Sequence, residues 1–69
     1  MDIVLENPAG EVVGIEVKAS STVKSGDFKG LKYLSDLSGD RFLRGIVPYA
    51  GDKSVPFTSN LYVLPVSAL

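Results

Sequence analysis

Cysteine, histidine and tryptophan are all absent from the 69 residues. Without cysteine there is no disulfide framework, no thiolate nucleophile and no thiolate zinc site. Without histidine the commonest metal ligand and general base is gone, so Ser-His-Asp and Cys-His catalysis are excluded within the chain. Charge of one sign is also lacking: seven Lys and Arg against eight Asp and Glu leave a formal net charge of -1. Strong attraction of the whole chain to nucleic acid or anionic lipid is therefore not expected. No run of about 18 apolar residues exists to cross a membrane as a helix. The opening residues 1–10 carry no basic stretch of the signal-peptide kind, so a cytoplasmic origin is the default expectation.

What is present is a globular balance, 45% hydrophobic and 22% charged, too apolar for a disordered tail. Any chemistry must come from carboxylates, lysines, hydroxyls or backbone groups. A chain of this length buries only about 60% of its unfolded surface and is marginal alone. Help is expected from a partner subunit or from a larger parent chain. Asp2 enters a strand at once and Leu69 follows an apolar run, as expected of residues 1–69 being one domain cut from something larger.

Asp2–Glu6 reads as a strand, Asn7-Pro8-Ala9-Gly10 as a turn and Glu11–Lys18 as a second strand, which together predict a hairpin. Residues 19–25 are a polar loop. Ser25 is the expected N-cap of a helix running to about Ser38, with Asp27 in its first turn and Gly39 as the stop. Phe28, Leu31, Leu34 and Leu37 form its expected core face, and Gly30 on that same half suggests close approach to a sheet. Phe42–Tyr49 reads as a third strand whose Pro48 argues for an edge or an early end. Residues 50–54 are a loop, Val55–Asn60 extended or turn-like, and Leu61–Leu64 a last strand closed by Pro65. The predicted fold is α/β in the order β-β-α-β-β, a mixed sheet with one right-handed crossover helix. Phe42, Tyr49, Phe57 and Tyr62 are expected in the core or at an interface.

The informative constellation is Asp2, Glu16 and Lys18. Glu16 and Lys18 stand two apart on a strand and so face one way. If Glu6 faces Val12 across the turn, Val4 faces Gly14 and Asp2 faces Glu16, bringing two carboxylates and a lysine to one face. A register shifted by one would break the cluster. Adjacent carboxylates repel unless they share a cation or a proton. Mg²⁺ accepts such oxygen ligands and keeps several waters, so Asp2 and Glu16, with the Val17 carbonyl, form a candidate metal site. Lys18 would orient a water or offset charge at a phosphate. The same residues on a solvated strand face would form an exposed ion pair worth about 0–1 kcal/mol.

Asp2 followed by Glu16-Val17-Lys18 resembles the D…E-x-K signature of the PD-(D/E)XK nuclease superfamily. IEVKAS, SGDFKGLKYL, FLRGIVPYAGD and NLYVLPVSAL look like the C-terminal domain of uncharacterised bacterial and archaeal AAA-type ATPases, over nearly the whole chain. That resemblance implies a truncated restriction-endonuclease-like core, nucleic acid and the rest of the parent ATPase as partners, Mg²⁺ as cofactor, and Asp2, Glu16 and Lys18 as the catalytic set. The P-loop is absent from these residues, so ATPase activity does not carry over. The superfamily's first helix and its acid are also absent, and cleavage by this chain alone is expected to be weak or nil. Pro48 stands where the family usually has an apolar residue.

Residues 18–32 gather Lys18, Lys24, Lys29 and Lys32 against Asp27, a local net charge of +3 against -4 for the remainder. Such a segment could track a phosphate backbone. It also reads as an ordinary helix surface with a Lys32–Asp36 pair. A different class of function stands beside the nuclease reading: a non-catalytic interaction module. One helix covers one face of a small sheet, so the other face or an edge should pair with a second copy as a homodimer.

Overall fold

A computed structural model describes residues 3–68. Strand β1 (Ile3–Glu6) pairs antiparallel with β2 (Val12–Ile15), with Glu6 opposite Val12, Val4 opposite Gly14 and Ile3 opposite Ile15. Through these residues the register is the predicted one. Turn chemistry sets it. Asn7 Oδ1 accepts hydrogen bonds from the Ala9 and Glu11 N–H groups, both at 3.0 Å. Gly10 takes φ +84°, which costs glycine nothing. The pairing expected for Asp2 lies outside the described residues.

Residues Ser25–Phe28 make a 3₁₀ turn that runs straight into helix α1 (Lys29–Ser38), which ends at Gly39 as predicted. Ser25 is not the cap. Asp27 does that work from inside the turn, its Oδ2 accepting from the Lys24 N–H at 2.8 Å. Phe28 and Leu31 are buried and Leu34 is half-buried, but Leu37, expected in the core, is 64% exposed. A strict spacing of three falls short of the 3.6-residue turn by about 60° per step. By Leu37 the row has walked to the opposite side of the helix from Phe28.

Strand β3 (Phe42–Tyr49) lies parallel to β2, as a crossover helix requires. Leu43 is an extra residue in the ladder, since Val12 faces Phe42 while Val13 faces Arg44. Strand β5 (Leu61–Pro65) lies parallel to β3 on its other side, and β4 (Val55–Thr58) pairs antiparallel with β5 at the edge. Among the described residues the fold is therefore mixed α/β, a five-stranded sheet in the order β1-β2-β3-β5-β4 with one α-helix. Two expectations are corrected. Val55–Thr58 is a strand, so the chain runs β-β-α-β-β-β. Pro48 sits within the central strand, opposite Leu64, and marks neither an edge nor an early end.

The ladder explains how a proline is tolerated there. Gly45 donates to Asn60 O beside β5, whereas the Ile46 and Pro48 carbonyls accept from Glu16 N and Lys18 N. Alternation along the strand directs the N–H that proline lacks toward the β2 side. There β2 has already ended as a regular strand at Ile15, resuming only as a single bridge between Lys18 and Tyr49.

The core forms where α1 lies on the sheet: Phe28, Leu31, Phe42, Val47, Tyr49, Leu61 and Val63. A close approach of helix and sheet is made at Gly45. A Cβ there would stand 2.8 Å from Leu61 Cδ2 and 3.0 Å from Leu31 Cδ1. Among the described residues the one α-helix lies on the core face, and the opposite face is partly open. Ile3, Leu5 and Val17 are 45–54% exposed on it, and Val13, Ile15 and Ile46 are half-buried.

Candidate functional site

Glu16 N donates to Ile46 O at 2.9 Å and Lys18 N to Pro48 O at 2.8 Å. Residues two apart, bonded to carbonyls two apart, present their side chains to one face of the sheet. That face is the helix side, because Lys18 Nζ reaches Asp27 Oδ1 at 3.0 Å in the turn that leads into α1. Glu16 and Lys18 therefore share a face, as the E-x-K spacing predicts. Glu16 Oε2 is buried. Asp2, the third expected member, lies outside the described residues.

The juxtaposition that sequence reasoning missed is Lys18 with Asp27. Asp27 carries the sequence signal of a helix-start acid and holds that role, yet its second oxygen binds Lys18. The Lys24 N–H, and then the Lys18 ammonium, hold the Asp27 carboxyl below its ordinary pKa. Nine positions separate Lys18 from Asp27, and no local pattern announces that the loop will fold back to join them.

The other lysines spread outward. Lys24, Lys29 and Lys32 are exposed. Lys32, expected to pair with Asp36, instead places its ammonium over the Phe57 ring, 5.2 Å from the centroid. The other side of the Phe57 story is Phe28, stacked on it at 4.0 Å between centroids and 12° between planes. Phe57 is 40% exposed and engaged in both contacts. Tyr49 is buried, and its hydroxyl donates to Lys53 O at 2.8 Å and accepts from Lys53 N at 3.2 Å. The Y-x-G-D segment is thereby accounted for as a loop folded over its own tyrosine. An apolar cleft of about 260 Å³ opens between the 3₁₀ turn and β4, and neither Glu16 nor Lys18 lines it.

For Mg²⁺ the described residues offer oxygen donors of the right kind: the Glu16 carboxylate and the Val17 carbonyl. No group of three or more acidic, His or Cys side chains gathers among the described residues. One or two carboxylates with waters suffice for Mg²⁺, so the donor set fits in chemistry. No helix among the described residues is long and apolar enough to cross a membrane.

Over residues 1–69 the chain matches the family described as a domain of unknown function, DUF4143. It belongs to that family. No curated protein and no solved structure gives a match. Membership in DUF4143 establishes kinship across the whole chain and leaves the chemistry to be argued from the residues.

Proposed function

We propose that this DUF4143 domain is an accessory C-terminal domain of a cytoplasmic AAA-type ATPase, built on a PD-(D/E)XK nuclease-like core and associated with nucleic acid. One observation carries the reading. Glu16 and Lys18 follow directly on a hairpin strand that runs parallel to its crossover strand, with both side chains on the helix side. An E-x-K pair so placed is what the resemblance to a restriction-endonuclease-like core would lead one to expect. Glu16, the Val17 carbonyl and Asp2 are the groups that would hold Mg²⁺. When bound, the ion would lower the pKa of a water and offset charge at a phosphodiester. Lys18 adds a cation on the same face.

The test is calorimetric titration of Mg²⁺ into the wild type and Glu16→Ala. Binding heat in the wild type that vanishes in the variant supports the site. Equal binding by the two proteins, or none by either, refutes it.

A second reading is self-association without catalysis, as a homodimer. The sheet face opposite α1 favours it, since Ile3, Leu5 and Val17 stand exposed beside half-buried Val13, Ile15 and Ile46. The edge strand β1 adds to this, all four of its residues being exposed with no proline among them. At the other edge, β4 carries Pro56 and a shift of register, both of which discourage pairing.

A further inference from the structure

Lys18 already has an anion. Its ammonium lies 3.0 Å from Asp27 Oδ1, and Asp27 is itself tied down on its other side. Asp27 Oδ2 accepts from the Lys24 N–H at 2.8 Å, and the Asp27 N–H donates to Lys24 O at 2.9 Å. A carboxylate anchored this way stays with its turn if the lysine leaves. We propose that Asp27 is a built-in competitor for phosphate at Lys18, an internal counter-ion that must be given up before Lys18 can engage a ligand. This rests on the reading of Lys18 as a phosphate-facing residue.

The electrostatics favour competition over assistance. A phosphate approaching Lys18 meets the negative charge of Asp27 at nearly the same place as the positive charge it seeks. The lysine side chain is 33% exposed and that of Asp27 21%, so solvent and small anions reach the pair. A pair this accessible is held weakly enough to exchange. Neutralising Asp27 would remove the carboxylate bonded to the Lys18 ammonium, with the Lys24 ammonium in the same turn adding to its field. Asn and Ser both keep an oxygen for the Lys24 N–H, so the turn is retained.

The experiment titrates inorganic phosphate at low ionic strength and neutral pH, followed by amide chemical shifts near Lys18. Four proteins are compared: wild type, Asp27→Asn, Asp27→Ser and Asp27→Asn with Lys18→Met. Both single variants should bind phosphate about two- to five-fold more tightly than the wild type, the range set by an accessible ion pair. The double variant should lose that gain. A purely structural role for Asp27 would change stability and give no Lys18-dependent gain in affinity. Equal or weaker binding by both single variants overturns the proposal while leaving Lys18 as a phosphate ligand. A gain that survives Lys18→Met removes Lys18 from the interaction, and the proposal falls together with the reading beneath it.

Discussion

Replacing Gly45 with alanine would push a methyl group into the tightest point of the core. The added carbon would stand 2.8 Å from Leu61 Cδ2 and 3.0 and 3.2 Å from the two terminal carbons of Leu31. Ordinary van der Waals contact lies near 3.5–4.0 Å, so every one of these atoms must give way. They are ends of side chains, which helps, but Leu31 is 0% and Leu61 4% exposed. Neither has solvent to retreat into, and α1 must lift or a rotamer must strain. Overpacking of this kind costs roughly 1–3 kcal/mol. Loss of glycine freedom in the unfolded chain returns roughly 0.4–1 kcal/mol. The expected net destabilisation is about 1–2 kcal/mol, and each kcal/mol lowers Tm by roughly 4–8 °C in a domain of this size. Urea unfolding of Gly45→Ala, Leu61→Val and the pair together supplies the assay. Leu61→Val withdraws the nearest carbon, so the double variant should be more stable than the sum of the singles by about 0.5 kcal/mol or more. A Gly45→Ala protein as stable as the wild type, or strictly additive variants, would refute the packing argument.

The Asp27 carboxyl is held below its ordinary pKa by the Lys24 N–H and by Lys18. A lowered folded-state value means stability that is present above the unfolded pKa, about 3.9, and lost as pH falls through the folded value. Stability curves of the wild type and Asp27→Asn should therefore separate above about pH 4 and close together below it; curves that stay parallel through that range would show that the pair contributes nothing. Self-association is checked by light scattering across a dilution series, where mass should rise above 7.3 kDa with concentration and Leu5→Lys should abolish the rise. A constant 7.3 kDa at every concentration would mean that the open face needs no cover.

The hairpin was legible because its signals are local. Asn7 and Gly10 fix the turn, and the turn fixes the partners of Glu6 and Val4. The same holds for the end of the helix, where Gly39 stops the element. The E-x-K pair was legible too, since period two is enough to put Glu16 and Lys18 on one face. Other features needed the tertiary structure. Pro48 argues against a central strand only if its missing N–H faces a regular partner, and here the pairing beyond Ile15 is irregular, held by Glu16 N on Ile46 O and Lys18 N on Pro48 O. Strand β4 hid because all four of its residues are exposed and one is proline, leaving no alternation to read. Leu37 was assigned to the core by counting threes, which drifts around a 3.6-residue turn. Asp27 looked complete as a helix-start acid, and a residue with one sufficient explanation conceals its second.

The order of strands has a consequence for how the sheet is assembled. Strands β1 and β2 close through a short turn, as do β4 and β5 across Ser59 and Asn60, so each pair is a local hairpin. Strand β3 has no local partner. Both of its neighbours are parallel to it and distant along the chain, so the entropy of loop closure precedes any reward from pairing. Hairpins form in about 1–10 µs, and β3 is expected to insert afterwards between two halves that have made themselves. Until it does, β2 and β5, the apolar strands that end up on either side of β3, each have a bare edge. The exposure that invites aggregation during folding is thus on different strands from the edges, β1 and β4, left open at the end.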